Sequence, residues 1–172
     1  MATTYTLISS VTVGGGGAAD IEFTSIPATF TDLVVLTSLR GTASAVSVSG
    51  QLRFNSSTSG YGLKYLSGSG TAAGSGDFSA TTSLIYLGDI PAATGTTSTF
   101  ANVLVYVPNY TSSNNKSISV EGVEERNSAA AYATLVTAKW NNASAITSVK
   151  LYPSSGNWAQ YSTAYLYGIS NA

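Results

Sequence analysis

Apolar and polar residues alternate along much of the chain, and this period of two is typical of β-strands with one buried face. In the segment Ser117–Glu125, for example, Ile118 and Val120 alternate with Ser119 and Glu121. By contrast, Asp32–Arg40 is a nearly continuous apolar run, which indicates a strand that is buried on both faces. Both patterns predict sheet rather than helix.

The C-terminal part of the chain contains the clearest pair of predicted strands, Ile146–Tyr152 and Tyr161–Ile169, joined by a Pro-Ser-Ser-Gly-Asn turn. In the second strand the alternate residues from Tyr161 onward, which include Tyr165 and Tyr167, share one face. We expect this tyrosine face to be buried or to contact a neighbouring subunit, because it carries no reactive group.

The whole sequence contains about ten such strands, separated by turn signals, and no clear helix. Short strands at this spacing predict an all-β antiparallel sandwich, and we favour a jelly-roll-like sandwich over a closed barrel. No internal repeat and no linker divides the chain, so residues 1–172 are predicted to form a single domain. The predicted strands lie near residues 4–13, 21–23, 32–40, 46–54, 61–66, 83–88, 100–107, 117–125, 132–140, 146–152 and 161–169.

One region departs from this pattern, because Gly, Ser, Thr and Ala dominate between residues 55 and 80. This composition is typical of loops. We therefore predict a long, mobile, exposed segment here, with only a brief strand around Tyr61–Leu66. Its Gly60–Ala80 part is a candidate display or contact loop.

Composition excludes several classes of function. The chain has no histidine and no cysteine, so it lacks the usual general base, the usual partner of a nucleophilic serine and the common zinc ligands. Its net charge of −1 provides no field for nucleic acid or anionic lipid. The absence of a secretory signal, of disulfides and of a long apolar segment predicts synthesis in a cytoplasm.

Acidic residues offer only weak candidates for chemistry. Glu121, Glu124 and Glu125 are close together in the sequence, with Arg126 beside them. A glycosidase needs two carboxylates, but Arg126 would favour ionised groups over an acid with a raised pKa. A solvated strand end is therefore the preferred interpretation, and we expect no catalytic residue, cofactor or metal ion.

Aromatic residues are the remaining candidates for a binding site, since the chain has 11 tyrosines and two tryptophans. Five of them lie in or next to predicted loops and could stack on a glycan or form an assembly interface: Tyr61, Tyr65, Trp140, Trp158 and Tyr161. We favour the interface, because Tyr and Trp are enriched at protein–protein contacts.

Three stretches resemble small β-sandwich virion proteins of tailed bacteriophages, of the head-decoration or cement type known from marine and cyanobacterial phages. They are FTSIPATFTDLVV (Phe23–Val35), VYVPNYTSSNNK (Val105–Lys116) and SGNWAQYSTAYLYGI (Ser155–Ile169). The resemblance implies a non-enzymatic structural protein of the virion, made in the host cytoplasm and assembled as a homo-oligomer such as a trimer. It supplies no catalytic residue.

Two roles are compatible with this resemblance. A decoration or cement protein would bind the major capsid protein on the outer shell, whereas a tail-fibre or tail-tip module would bind a host-surface glycan. The sandwich pattern runs from Tyr5 to Ile169 without a heptad or β-helical shaft, which favours decoration. A carbohydrate-binding module outside phage biology is the third alternative.

Overall fold

The computed structural model of the chain describes residues 4–127 and 131–170, with residues 78–81 described by their backbone alone. These residues form twelve β-strands and contain no helix, so none that could span a membrane. The strands are β1 (Tyr5–Thr12), β2 (Ile21–Phe23), β3 (Asp32–Leu39), β4 (Ser47–Phe54), β5 (Tyr61–Ser69), β6 (Ala72–Thr82), β7 (Ile85–Pro91), β8 (Ala101–Val107), β9 (Lys116–Glu124), β10 (Tyr132–Trp140), β11 (Val149–Pro153) and β12 (Thr163–Ile169).

The strands form two antiparallel sheets, which confirms the predicted all-β sandwich. The larger sheet has the order β1-β12-β3-β8-β9-β10-β5-β6, and the smaller has the order β2-β11-β4-β7. Without β5–β6 and β9–β10, two four-stranded sheets remain, and the chain crosses between them as in a jelly roll. The two additional hairpins extend only the larger sheet.

Two details of the predicted architecture were wrong. The closing strands β11 and β12 do not pair with each other, because they belong to opposite sheets. The predicted Gly/Ser-rich loop (about 55–80) is mostly a hairpin, in which β5 pairs with both β10 and β6. Ladder hydrogen bonds are made by the backbone, so small side chains do not prevent pairing once a neighbouring strand supplies the partners.

One core lies between the sheets. Inward residues of the larger sheet, such as Leu33, Val105 and Val120, are at most 1% exposed. Strand β7, at one edge of the smaller sheet, packs against β8, β9 and β10 and also contacts β5. Strand β6, at the edge of the larger sheet, therefore projects past the edge of the smaller sheet. The approach is close at Gly122, where a Cβ atom would lie 2.8 Å from the carbonyl oxygen of Leu87.

A buried arginine organises the loop between β7 and β8. The guanidinium group of Arg40 donates hydrogen bonds to the carbonyl oxygens of Ala92, Gly95, Thr96 and Thr99 over distances of 2.7–3.2 Å. No acid pairs with Arg40 among the described residues; backbone carbonyls satisfy its charge instead.

Candidate functional site

Two of the five predicted contact residues, Tyr61 and Trp140, belong to the core and not to a surface. Their rings stack at a centroid distance of 6.0 Å and pack against Phe54. The Tyr61 hydroxyl accepts a hydrogen bond of 2.8 Å from the Phe54 backbone N–H, and burial raises the pKa of Tyr61 to about 12. Because both side chains are at most 1% exposed, neither can reach a glycan or a partner.

Trp158 is also buried, so its prediction as a contact residue was wrong as well. It is 0% exposed, and its indole N–H donates to the carbonyl oxygen of Leu151. Its backbone bridges Ala18 and Gly41, and its side chain belongs to the hydrophobic core. Tyr161, in contrast, is 67% exposed and lies in the turn before β12. Tyr65 is half-buried on β5.

The outward surface of the larger sheet, here called the outer face, carries an unusual row of apolar side chains. Directly paired residues on adjacent strands run in the order Tyr165, Leu36, Leu104, Glu121, Leu135 and Leu66. Leu135 and Leu66 are 55% and 61% exposed. The outward side of an antiparallel sheet is ordinarily polar, so this row is a candidate contact surface.

Residues beside the row extend the apolar character of the outer face. Tyr167 and Val34 are directly paired on the next row, as are Val34 and Tyr106. Charged side chains interrupt the described outward residues at a few positions: Lys64 is paired with Asp77 at 2.7 Å, Asp32 accepts a hydrogen bond from the Tyr106 hydroxyl, and the exposed Glu121 and Lys139 have no ion pair. Tyr165 and Tyr167 of the closing strand therefore face outward and are not buried in the core, while their contact with a neighbouring subunit stays a prediction.

A β-bulge shapes a second surface, on the opposite side of the sandwich. The pairing of β4 with β7 slips by one residue between Gly50 and Gln51, and Gly88 on β7 has a φ of +99°. Tyr86 and Asp89 are three positions apart, so on a regular strand their side chains would point to opposite sides of the sheet. The slip turns both of them to the same outward side. The Tyr86 hydroxyl donates to Asp89 Oδ1 at 3.1 Å. Burial is the main cause that raises the pKa of Tyr86, and the charge and hydrogen bond of Asp89 raise it further.

Tyr86 lies in a cleft of about 620 Å³, here called the tyrosine cleft, lined by Ser49, Gln51, Tyr65, Thr82, Ser83, Leu84 and Tyr86. Its floor is the outward side of β4 and β7, and its wall is the projecting β5–β6 hairpin with Leu84. The rings of Tyr65 and Tyr86 meet edge to face, with centroids 5.8 Å apart. Residue Gln51 pairs directly with both Tyr86 and Tyr152. None of the described residues that line the cleft is charged.

The acidic cluster is divided among three environments. Glu121 is exposed on the outer face, Glu125 accepts a hydrogen bond from the Asn127 N–H, and Glu124 points into the core. Oε1 of Glu124 lies 2.8 Å from Arg126 Nε, without good hydrogen-bond alignment. Burial raises the pKa of Glu124 to about 7 despite the opposing effect of Arg126.

This division does not assemble a pair of carboxylates around one cleft. The described residues also contain no group of three acidic, histidine or cysteine side chains that could hold a metal ion. The chain matches no protein-family model, no curated protein and no solved structure.

Proposed function

We propose that this chain is a non-enzymatic structural protein of a tailed-phage virion that decorates the outer capsid shell. It docks on the major capsid protein through the outer face of its eight-stranded sheet. The sequence resemblance supports the virion setting, and the apolar row on the outer face is the observation that carries the docking role.

The size of the outer face suits this role. Seven strand spacings of about 4.8 Å and strands of about seven residues at 3.3 Å give a surface on the order of 800 Å². A standard protein–protein interface buries about 800 Å² on each partner. The outer face is therefore large enough to dock as a unit.

The energetics indicate that the whole face must take part. Leu135 and Leu66 remain more than half exposed, so burying the rest of each contributes about 1 kcal/mol. A few such leucines only offset part of the entropy lost on association. The flanking residues Tyr106 and Tyr167 must therefore be covered as well, and Glu121 must find a polar partner on the shell.

Introducing a charge into the row tests the proposal. Purified protein would be added back to capsids that lack it, and occupancy would be measured over a concentration series. Leu135→Glu should weaken binding at least about 100-fold, because docking would bury an unpaired carboxylate. Val46→Glu is the matched control, since Val46 is 50% exposed but lies outside the outer face.

Val46→Glu should unfold within about 0.5 kcal/mol of the wild type, because Val46 is on the surface. Leu135→Glu should lose up to about 1 kcal/mol, because its carboxylate lies directly opposite Glu121. Wild-type binding by Leu135→Glu would overturn the docking role. Loss of self-association with unchanged capsid binding would instead assign the outer face to contacts within a homo-oligomer such as a trimer.

A further inference from the structure

We propose that the tyrosine cleft is a binding site for a neutral saccharide. It lies on the side of the sandwich away from the outer face, so it stays open when the outer face is covered. The inference does not depend on the proposed function.

The aromatic groups of the cleft are held in place by the fold. The bulge at Gly88 turns Tyr86 outward, and Asp89 fixes its hydroxyl at 3.1 Å. Tyr65 projects from the overhanging β5, with its ring lying directly over Gly76. The two rings form a corner with an apolar surface, and the apolar C–H face of a sugar ring packs on such a surface.

Hydrogen-bonding groups surround this corner. The Gln51 carboxamide lies one strand from Tyr86 and makes no hydrogen bond within the described residues, so its donor and acceptor are available. Ser49 and Ser83 line the same cleft. This mixture of amide and hydroxyl groups matches the hydroxyl rim of a sugar.

The charges near the cleft favour a neutral ligand. Asp89 is held against the Tyr86 hydroxyl beside the cleft, where its charge would repel a carboxylate or phosphate. Arg53 is already engaged, because it donates to the Ser83 carbonyl oxygen and stacks on Tyr152 at 4.8 Å. The volume of about 620 Å³ lies within the range of small-molecule sites.

The test uses the full chain on an array of neutral and sialylated oligosaccharides, followed by calorimetric titration of each hit. We expect binding to neutral glycans, weakened about tenfold or more by Tyr86→Ala and by Gln51→Ala. Tyr161→Ala is the matched control, since Tyr161 is exposed but outside the cleft, and it should bind as the wild type does.

Each variant would be checked by thermal unfolding. If Tyr86→Ala does not fold, Gln51→Ala and Tyr86→Phe decide the question, because Tyr86→Phe keeps the ring and removes the bond to Asp89. Absence of binding, binding to sialylated glycans alone, or equal binding by wild type and Gln51→Ala would overturn the inference. Any of these results would leave capsid docking through the outer face unaffected.

Discussion

Replacement of the buried Glu124 by glutamine tests how the core tolerates the carboxyl group that lies against Arg126. Glu124 and Arg126 are 1% and 10% exposed, and burial raises the pKa of Glu124 from 4.5 to about 7. The folded protein therefore keeps this proton up to about pH 7, whereas the unfolded chain releases it near pH 4.5. The contribution of this proton to the free energy of unfolding is therefore fully present below pH 4.5 and is lost as the pH rises through 7.

The size of the effect follows from the pKa. A difference of about 2.5 units at 1.36 kcal/mol per unit corresponds to about 3 kcal/mol as an upper bound. Glutamine cannot ionise, so Glu124→Gln lacks this dependence. Relative to the variant, the wild type should lose up to about 3 kcal/mol of unfolding free energy between pH 4.5 and 7.

Urea unfolding of both proteins at intervals from pH 4 to pH 8 measures this difference. Glu121→Gln is the control, because it removes a carboxylate from the opposite side of the same strand, and it should keep the wild-type profile. A wild-type minus Glu124→Gln difference that is constant over this range, or that grows with pH, would refute the reasoning.

Three further predictions concern the fold. Gly122→Ala should destabilise the protein by about 1–3 kcal/mol in chemical unfolding, because the new methyl group meets the β7 backbone; Gly68→Ala, at an open position, should have little effect, and equal losses would contradict the packing. Arg40→Met should cost about 3 kcal/mol, since it removes the hydrogen bonds that the guanidinium group donates to four loop carbonyls; Arg53→Met, which loses one such bond, should cost less than half as much. Amides of Tyr61–Ser69 should be protected in hydrogen exchange, because β5 is paired on both sides; rapid exchange throughout would restore the mobile-loop interpretation.

The period-two pattern was sufficient to predict the sandwich but not to decide which side of each strand faces the core. On β10, Leu135 and Val136 are both apolar, yet Val136 is 2% exposed and Leu135 is 55% exposed. Trp140 is in phase with Val136, and that phase was the signal that it is buried. When both sides of a strand are apolar, only the position of the second sheet decides between them.

The candidate sites depended on features with weak sequence signals. Glu124 is in phase with Ile118 and Val120, which indicated burial, but its charge and its neighbour Glu125 favoured a solvated interpretation. The tyrosine cleft requires a one-residue register slip at Gly88 and the overhang of β5–β6 past β7. Neither is visible in a single strand, because both arise from how strands distant in sequence are paired.

Docking through the outer face is tested most directly by the position and orientation of the protein in the virion, determined by cryo-electron microscopy. We predict density on the outer capsid shell, with Leu66 and Leu135 against the major capsid protein and Tyr86 facing solvent. Density at the tail tip, or a shell-bound copy with its outer face exposed to solvent, would contradict the proposal.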